Sequence, residues 1–257
     1  MSQIAHLPLG AIQNARFEVA VLPWGATEAH NYHLPYGTDT ILAEAVATLA
    51  AERAEAQGVR VALLPTVPFG VNTTQLDIPF TLSVMPTTQL ALLRDLVDSL
   101  AGQGVRKLVI LNAHGGNDFK WMIRELQPRT PVFLSTINWW QVVDPAAFFD
   151  EPGDHAGELE TSVMMAIAPE VTHPVGQAGP GRARPWRLTG LREGWAWAPR
   201  RWTQVTDDTG IGDPKAATRE KGIRFLDAVG TKVANYLVEL AAADLEHLYG
   251  TSDDAHP

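Results

Sequence analysis

Val19-Ala-Val-Leu-Pro-Trp-Gly25 leads into Ala-Thr-Glu28-Ala-His30-Asn-Tyr-His33-Leu-Pro-Tyr-Gly-Thr-Asp39. The apolar run at 19–22, followed by a turn at 23–25, predicts a buried strand that ends in a loop. An apolar helical pattern begins directly after Asp39. A strand, a polar loop and a helix in this order are typical of an α/β protein, which usually builds its site at the carboxyl ends of strands.

The loop supplies two carboxylates, Glu28 and Asp39, and two imidazoles, His30 and His33. This is a ligand set that zinc, manganese and iron(II) prefer. Glu28 and His30 are two residues apart, so in extended backbone their side chains point to the same side. The alternative interpretation is that Asp39 only caps the helix and that the histidines lie on the surface.

Two further clusters favour the metal-site interpretation. The apolar run 107–111 leads into Asn-Ala-His114-Gly115-Gly116-Asn, where the glycines either form an anion-binding turn or only permit a tight one. Asp154-His155-Ala-Gly-Glu158-Leu-Glu160 opens an apolar helix. For Glu158 we favour a helix-dipole role. Three acid and imidazole clusters at the starts of elements are hard to attribute to capping alone.

The bulk composition limits the class of protein. The chain has 257 residues, 46% of them apolar, and no cysteine, which suits one large α/β domain and excludes thiolate chemistry. A net charge of −9 without a basic block argues against nucleic acid as a partner. The amino terminus lacks a signal-peptide pattern and there is no long apolar run, so we expect a cytoplasmic protein that does not enter membranes.

Strand and helix signals alternate along the chain, which predicts a mainly parallel sheet flanked by helices. Strands are predicted at 18–24, 59–65, 107–112 and 131–136, and helices at 39–57, 87–103, 117–127, 157–168 and near 214–247. We expect one domain over 1–250 and a disordered polar tail at 251–257. The Pro-rich segment 66–86 is predicted to be a long ordered excursion, and 172–213 to contain short strands or to pack on a neighbouring subunit.

Three motifs in order resemble the creatininase (creatinine amidohydrolase) family: Pro-x-Gly-x-x-Glu-x-His-x-x-His-Leu-Pro-x-x-Thr-Asp, Asn-x-His-Gly-Gly-Asn and His-Ala-Gly-x-x-Glu-Thr-Ser. Residues 212–222 are similar to its C-terminal signature. The resemblance implies a creatininase-type α/β fold, two divalent metal ions per chain (zinc or manganese, with iron as an option), and a homohexamer built as a trimer of dimers. It implies that Glu28, Asp39 and His114 hold one metal and that His30 and Asp39 hold the other.

The resemblance also implies roles in substrate binding and proton transfer. His155 matches the family's proton-transferring histidine, and Trp140 a tryptophan that covers the substrate. Asp154 either orients His155 or is a solvated loop acid. Gly115 and Gly116 stand where the family has a Tyr-Glu pair, and we place them in the substrate site.

The chain departs from the family at functional positions. Its Gly116 replaces a glutamate that ligates the second metal, and Glu160 is our candidate substitute, as a ligand or as a neighbour of one. Glu151 stands where creatininase has a substrate-facing tryptophan, and Asn31-Tyr32 replace Gly-Pro. These departures favour a substrate other than creatinine.

We therefore predict a metal-dependent amidohydrolase that cleaves a non-peptide C–N bond, in a cyclic amide or related small amide, with a metal-bridging hydroxide. The alternatives are a related hydrolase acting on a formamide, a short peptide or a ring C–C bond, and a degenerate module that binds a metal or ligand without catalysis.

Overall fold

The computed structural model describes residues 3–250, so the predicted tail at 251–257 lies outside the described residues. Four parallel strands form one sheet in the order β2-β1-β3-β4. Their bounds are β1 Val19–Trp24, β2 Val61–Leu63, β3 Lys107–Asn112 and β4 Phe133–Asn138. The predicted α/β class with a mainly parallel sheet is confirmed, although β2 is shorter than the sequence pattern indicated.

Among the described residues, five longer α-helices flank the sheet and three α-helices of four residues each lie in the loops. In chain order they are α1 Leu9–Ile12, α2 Thr38–Ala56, α3 Pro86–Gly102, α4 Phe119–Leu126, α5 Glu158–Ile167, α6 Thr189–Arg192, α7 Trp202–Val205 and α8 Arg219–Ala242. The helix predicted near 214–247 begins later because Thr218 caps it, accepting a hydrogen bond from the amide of Lys221 at 3.2 Å. None of the described helices is long and apolar enough to cross a membrane.

Alternate residues of β1 pack on opposite faces of the sheet. Val19 and Val21 belong to the core under α2, α5 and α8, whereas Leu22 and Trp24 belong to the core under α3 and α4. Burial on both faces explains why the strand is apolar throughout instead of alternating with polar residues. The molecule is therefore a three-layer α/β/α sandwich.

The strand order places a crevice between β1 and β3. From β1 the chain moves outward to β2 and then returns to β3 on the other side of β1. Trp24 pairs with Asn112, so the two strands end level with each other. Because the loops after these strands diverge, a crevice opens at their carboxyl ends, where ligands bind in open α/β sheets.

Two long loop segments border this crevice. In the segment 66–86, the carbonyl of Phe69 accepts a hydrogen bond from the indole of Trp24 at 2.9 Å, and Leu82 pairs with Thr27. This segment is therefore ordered against β1, as predicted. The segment 172–213 contains short helices and a single bridge, between His155 and Ile211, in place of the short strands that we considered.

Candidate metal centre

Asp39 lies at the centre of a buried group of acids and imidazoles. It is the second residue of α2, whose N-cap is Gly37, and its side chain makes no capping hydrogen bond, so the helix-cap interpretation is wrong. Its Oδ1 lies 3.1 Å from Nε2 of His30, and its Oδ2 lies 3.1 Å from Nδ1 of His114. Asp39 therefore presents its two oxygens to two different imidazoles.

Glu28 completes one side of this arrangement. Its Oε1 lies 2.9 Å from Nδ1 of His114, while its Oε2 accepts a hydrogen bond from the side-chain amide of Gln75. Glu28 follows β1 and His114 follows β3, so the crevice between these strands brings them together. Gln75 comes from the segment 66–86 and is buried, and the sequence analysis did not identify it.

Backbone carbonyls fix the orientation of both imidazoles. Nδ1 of His30 lies 3.1 Å from the carbonyl oxygen of Glu28, and Nε2 of His114 lies 3.2 Å from that of Val71. Because a carbonyl only accepts, these nitrogens carry hydrogen. The opposite nitrogens therefore face the acids, an arrangement usual for metal-binding histidines, whose outer nitrogen is held by a carbonyl or carboxylate.

Glu160, in the first turn of α5, completes the other side. Its Oε2 lies 3.9 Å from Nε2 of His30 and accepts a hydrogen bond from the amide of Ala156 at 2.6 Å. Three sets of side chains each have ligand atoms within 4.8 Å of one another. The sets are Glu28, Asp39 and His114; His30, Asp39 and Glu160; and Glu28, His30 and His155.

These residues fit divalent metal ions. Oδ2 of Asp39 is buried and forms no hydrogen bond of acceptable geometry, even though Nδ1 of His114 is near it. A buried carboxylate oxygen without a partner is costly, and a cation would satisfy it. Carboxylate oxygens and imidazole nitrogens are the ligands that zinc, manganese and iron share.

The buried charges shift the protonation equilibria of this group. Burial alone would lower the pKa of His30, but Asp39, together with Glu160 and Glu28, outweighs it and raises that pKa to about 10. Burial likewise opposes a charged His114, yet Glu28 and Asp39 raise its pKa well above the ordinary value. Burial raises the pKa of Glu160. Without a cation, protons on His30 and His114 therefore balance the charges of Asp39 and Glu28.

His155 lies beside the candidate ligands on either side of Asp39, which we call the metal-ligand group and which are Glu28, His30, Asp39, His114 and Glu160. Its Nε2 lies 2.8 Å from the carbonyl oxygen of Ala29, so Nε2 carries the hydrogen, and its Nδ1 lies 3.7 Å from Oε1 of Glu28. Its ring stacks on that of His30 with centroids 4.1 Å apart. The carboxylate of Asp154 binds Arg200 at 2.6 Å, and it is Ala29 that orients His155.

Trp140, Gly115 and Gly116 all line the crevice. Trp140 and Gly115 border the inner cavity of about 130 Å³, next to Glu28, Asp39 and His155. Gly116 borders an adjoining outer cavity of about 330 Å³. A Cβ atom at Gly116 would overlap Nε2 of His114 and the carbonyl of Val71, so this glycine permits a close approach and is not needed for a left-handed turn.

His33 and Glu158 lie outside the metal-ligand group. His33 contacts the hydroxyl of Thr161 through Nε2 at 2.9 Å, and burial lowers its pKa to about 4, so it is a neutral residue beneath α5. Glu158 is fully buried, pairs with the ammonium of Lys221 and accepts a hydrogen bond from the amide of Glu151. Its role is therefore to join α5 to α8.

Comparison with known proteins identifies the family. The creatininase model, described as creatinine amidohydrolase, matches residues 6–237. The chain belongs to the creatininase family. Among curated relatives, the mycofactocin precursor peptide peptidase of Mycobacterium tuberculosis (strain H37Rv) is 30% identical over 81% of this chain and 80% of its own length. The creatinine amidohydrolase of Pseudomonas putida is 26% identical over 86% of this chain and 89% of its own.

Solved structures of the family share the fold. A crystal structure from Bacteroides fragilis NCTC 9343, provisionally described as a creatinine amidohydrolase, is 45% identical, with a TM-score of 0.91 over 95% of this chain and 97% of that one. A manganese form of creatininase matches with a TM-score of 0.75 at 22% identity over 94% of this chain and 99% of that one, and so shows the fold alone. These comparisons confirm the predicted family and its fold. They also confirm the predicted class of enzyme, a metal-dependent hydrolase.

Proposed function

We propose that this chain hydrolyses an amide C–N bond with the help of two divalent metal ions, which would bind on either side of Asp39. The ions are zinc or manganese, with iron as an option. One observation carries the proposal: the two oxygens of Asp39 face two separate ligand groups. Glu28 and His114 would hold one ion with Asp39, and His30 and Glu160 would hold the other. Glu160 thus stands in for the family glutamate that Gly116 replaces, which argues against a degenerate binding module.

Metal ions held by these residues would supply Lewis-acid chemistry, activating water near neutral pH and polarising the amide carbonyl. The protein residues orient the substrate and move the proton. Because Ala29 holds the hydrogen on Nε2 of His155, Nδ1 is the nitrogen that is free to accept a proton on the side facing Glu28. An imidazole at this position can accept a proton from the attacking water and deliver it to the leaving nitrogen.

The inner cavity favours a small substrate. Its volume of about 130 Å³ suits a cyclic amide or a related small amide, with the indole of Trp140 as one wall and the backbone of Gly115 as another. A short peptide is the second candidate. It is favoured by the outer cavity, which extends the site, and by the M. tuberculosis relative, which is named as a peptidase.

A substrate screen tests the proposal. Protein freed of metal and reloaded with zinc or manganese should be incubated with cyclic ureas, lactams, formamides and short peptides, and the released amine measured. We expect turnover that requires the metal and is lost in Asp39→Asn, whereas Asp213→Asn, at a half-buried acid that lines neither cavity, should keep it. A protein that binds two ions yet hydrolyses none of these classes would contradict the proposal.

We also propose that the chain assembles into a homohexamer. Trp195 and Trp197 are 76% and 85% exposed, and Phe80 is 87% exposed. Large apolar side chains left bare in this way usually mark contacts between proteins. Light scattering should give about six chain masses, as for a closed symmetric assembly, and a monomer would contradict this. The cytoplasmic location stays a prediction.

A further inference from the structure

The outer cavity and the inner cavity form one continuous cleft. They share the residues Glu28, His114, Gly115, Trp140, Asp154 and His155. The outer part adds a wall from the loop before α7, which includes Trp197 and Arg200, and a wall from the segment 66–86, which includes Thr74. A substrate whose reacting amide lies in the inner cavity can therefore extend toward this loop.

Arg200 lies at a fixed position in the outer cavity. Its guanidinium donates from Nη1 to Oδ2 of Asp154 at 2.6 Å and stacks over the ring of Trp202 at 4.6 Å. Trp202 is itself buried and donates through its indole nitrogen to the carbonyl of Thr209 at 3.0 Å. The guanidinium is therefore held from two sides, and little side-chain entropy remains to be lost when a ligand binds it.

The same tryptophan ties Arg200 to the reacting groups. The edge of Trp202 meets the ring of His155 with centroids 5.2 Å apart. Arg200 and His155 thus contact the same indole, and Asp154, which binds Arg200, directly precedes His155 in the chain. A small substrate bound to Arg200 through one end could consequently place its other end in the inner cavity.

The guanidinium retains donors for a ligand. It has five N–H groups in a planar fork. Among residues 3–250, the guanidinium has one hydrogen-bond partner, Asp154, and 39% of the side chain is exposed. Arg200 is also the one lysine or arginine among the described residues that line the outer cavity. An exposed ion pair contributes little to folding stability, so stability alone does not explain a pair placed at the mouth of the cleft.

From this geometry we propose that the outer cavity is a subsite for a carboxylate of the amide substrate, with Arg200 as the residue that binds it. The inference rests on the proposed function and narrows its substrate class to amides that carry a carboxylate near the reacting bond, such as N-acyl amino acids. Trp197 supplies an apolar wall beside the anion, and Asp154 holds the guanidinium in place for it.

Binding to the metal-loaded protein tests the subsite directly. The probes are N-benzoylglycine, which is an anion, and its neutral amide, N-benzoylglycinamide, with affinities measured by titration calorimetry. We expect the wild type to bind the anion about 10- to 100-fold more tightly than the amide, the usual effect of a charge-assisted hydrogen bond. Arg200→Gln should abolish this difference and Arg200→Lys should keep part of it.

The matched control is Arg201→Gln, because Arg201 is the next residue in the chain but does not line the outer cavity, so its loss should leave the preference unchanged. Metal content should be equal in all variants. A preference for the anion that survives in Arg200→Gln would mean that the carboxylate binds the metal ions themselves, and it would overturn the inference. Equal affinity of the wild type for both probes would also overturn it.

Turnover of the same pair separates the subsite from the proposed function. If the wild type binds the anion through Arg200 but releases neither benzoate nor amine from any amide in the substrate screen, the subsite stands and the proposed hydrolysis fails. If the wild type hydrolyses both probes with equal KM, and Arg200→Gln changes the KM of neither probe, the proposed hydrolysis stands and the subsite fails.

Discussion

Oε2 of Glu160 lies 3.9 Å from Nε2 of His30. This distance is too long for a hydrogen bond, but two ligands of one zinc ion are separated by about 3–4 Å, given metal–ligand bonds near 2.0–2.2 Å. The separation of the two atoms therefore matches that of two ligands of one metal ion. Glu160 comes from α5, whereas the family glutamate for which we propose it as the substitute would follow His114.

Glu160→Gln should lower the occupancy of one metal ion and leave the other, because Glu28, Asp39 and His114 are untouched. Metal content per chain, measured by plasma mass spectrometry after dialysis, checks this. Glu158→Gln is the matched control, since Glu158 is also buried on α5 but pairs with Lys221. It should retain both ions even if it unfolds at a lower temperature. Full occupancy of both ions in Glu160→Gln would refute the role of Glu160.

Gln75→Leu should weaken binding of the metal held by Glu28. The amide of Gln75 donates to Oε2 of Glu28 and so turns Oε1 toward His114. Loss of such a supporting hydrogen bond typically lowers metal affinity by about 10- to 100-fold. Competition with a chromophoric chelator measures the affinity. Gln141→Leu, at an exposed glutamine outside the metal-ligand group, is the control, and equal affinities in the two variants would show that Gln75 does not position Glu28.

His155→Ala should retain the fold and both metal ions but reduce kcat by roughly 10²–10⁴, the usual effect of removing a positioned acid or base. His173→Ala serves as the control, because His173 is exposed and lines neither the inner nor the outer cavity. Unchanged turnover in His155→Ala on a confirmed substrate would exclude proton transfer by this residue.

Metal binding should release protons, and it should tighten as the pH rises. In the metal-free protein the pKa of His30 is about 10 and that of His114 is also raised, so both imidazoles are protonated at pH 7. A metal ligand must be neutral, so about two protons should leave per chain. Calorimetry in buffers of different ionisation enthalpy counts them, and an absence of proton release would contradict the ligand assignment.

The same shifts set the pH dependence of the metal-free fold. Because the pKa of His30 is raised above the ordinary value of 6.5, its pairing with Asp39 stabilises the fold fully below that value. The contribution is lost as the pH rises toward about 10. The melting temperature of the metal-free protein should therefore fall over this range, whereas that of Asp39→Asn should change less.

The sequence predicted the parts of the site that depend on strand ends. Glu28 and His114 follow apolar runs that form neighbouring parallel strands, so their convergence follows from the fold class. Gln75 could not be found in this way, since the segment 66–86 has no periodicity and its contact with Glu28 spans 47 positions. The pairing of Asp154 with Arg200, 46 positions apart, likewise depends on how a long irregular loop folds back.

The most direct test of a shared Asp39 is anomalous diffraction from crystals of the protein loaded with zinc or manganese, recorded at the absorption edge of the metal. We predict two peaks per chain, one between Glu28 and His114 and the other between His30 and Glu160, each in contact with a different oxygen of Asp39. A single peak, or two peaks that do not share Asp39, would contradict the two-metal centre.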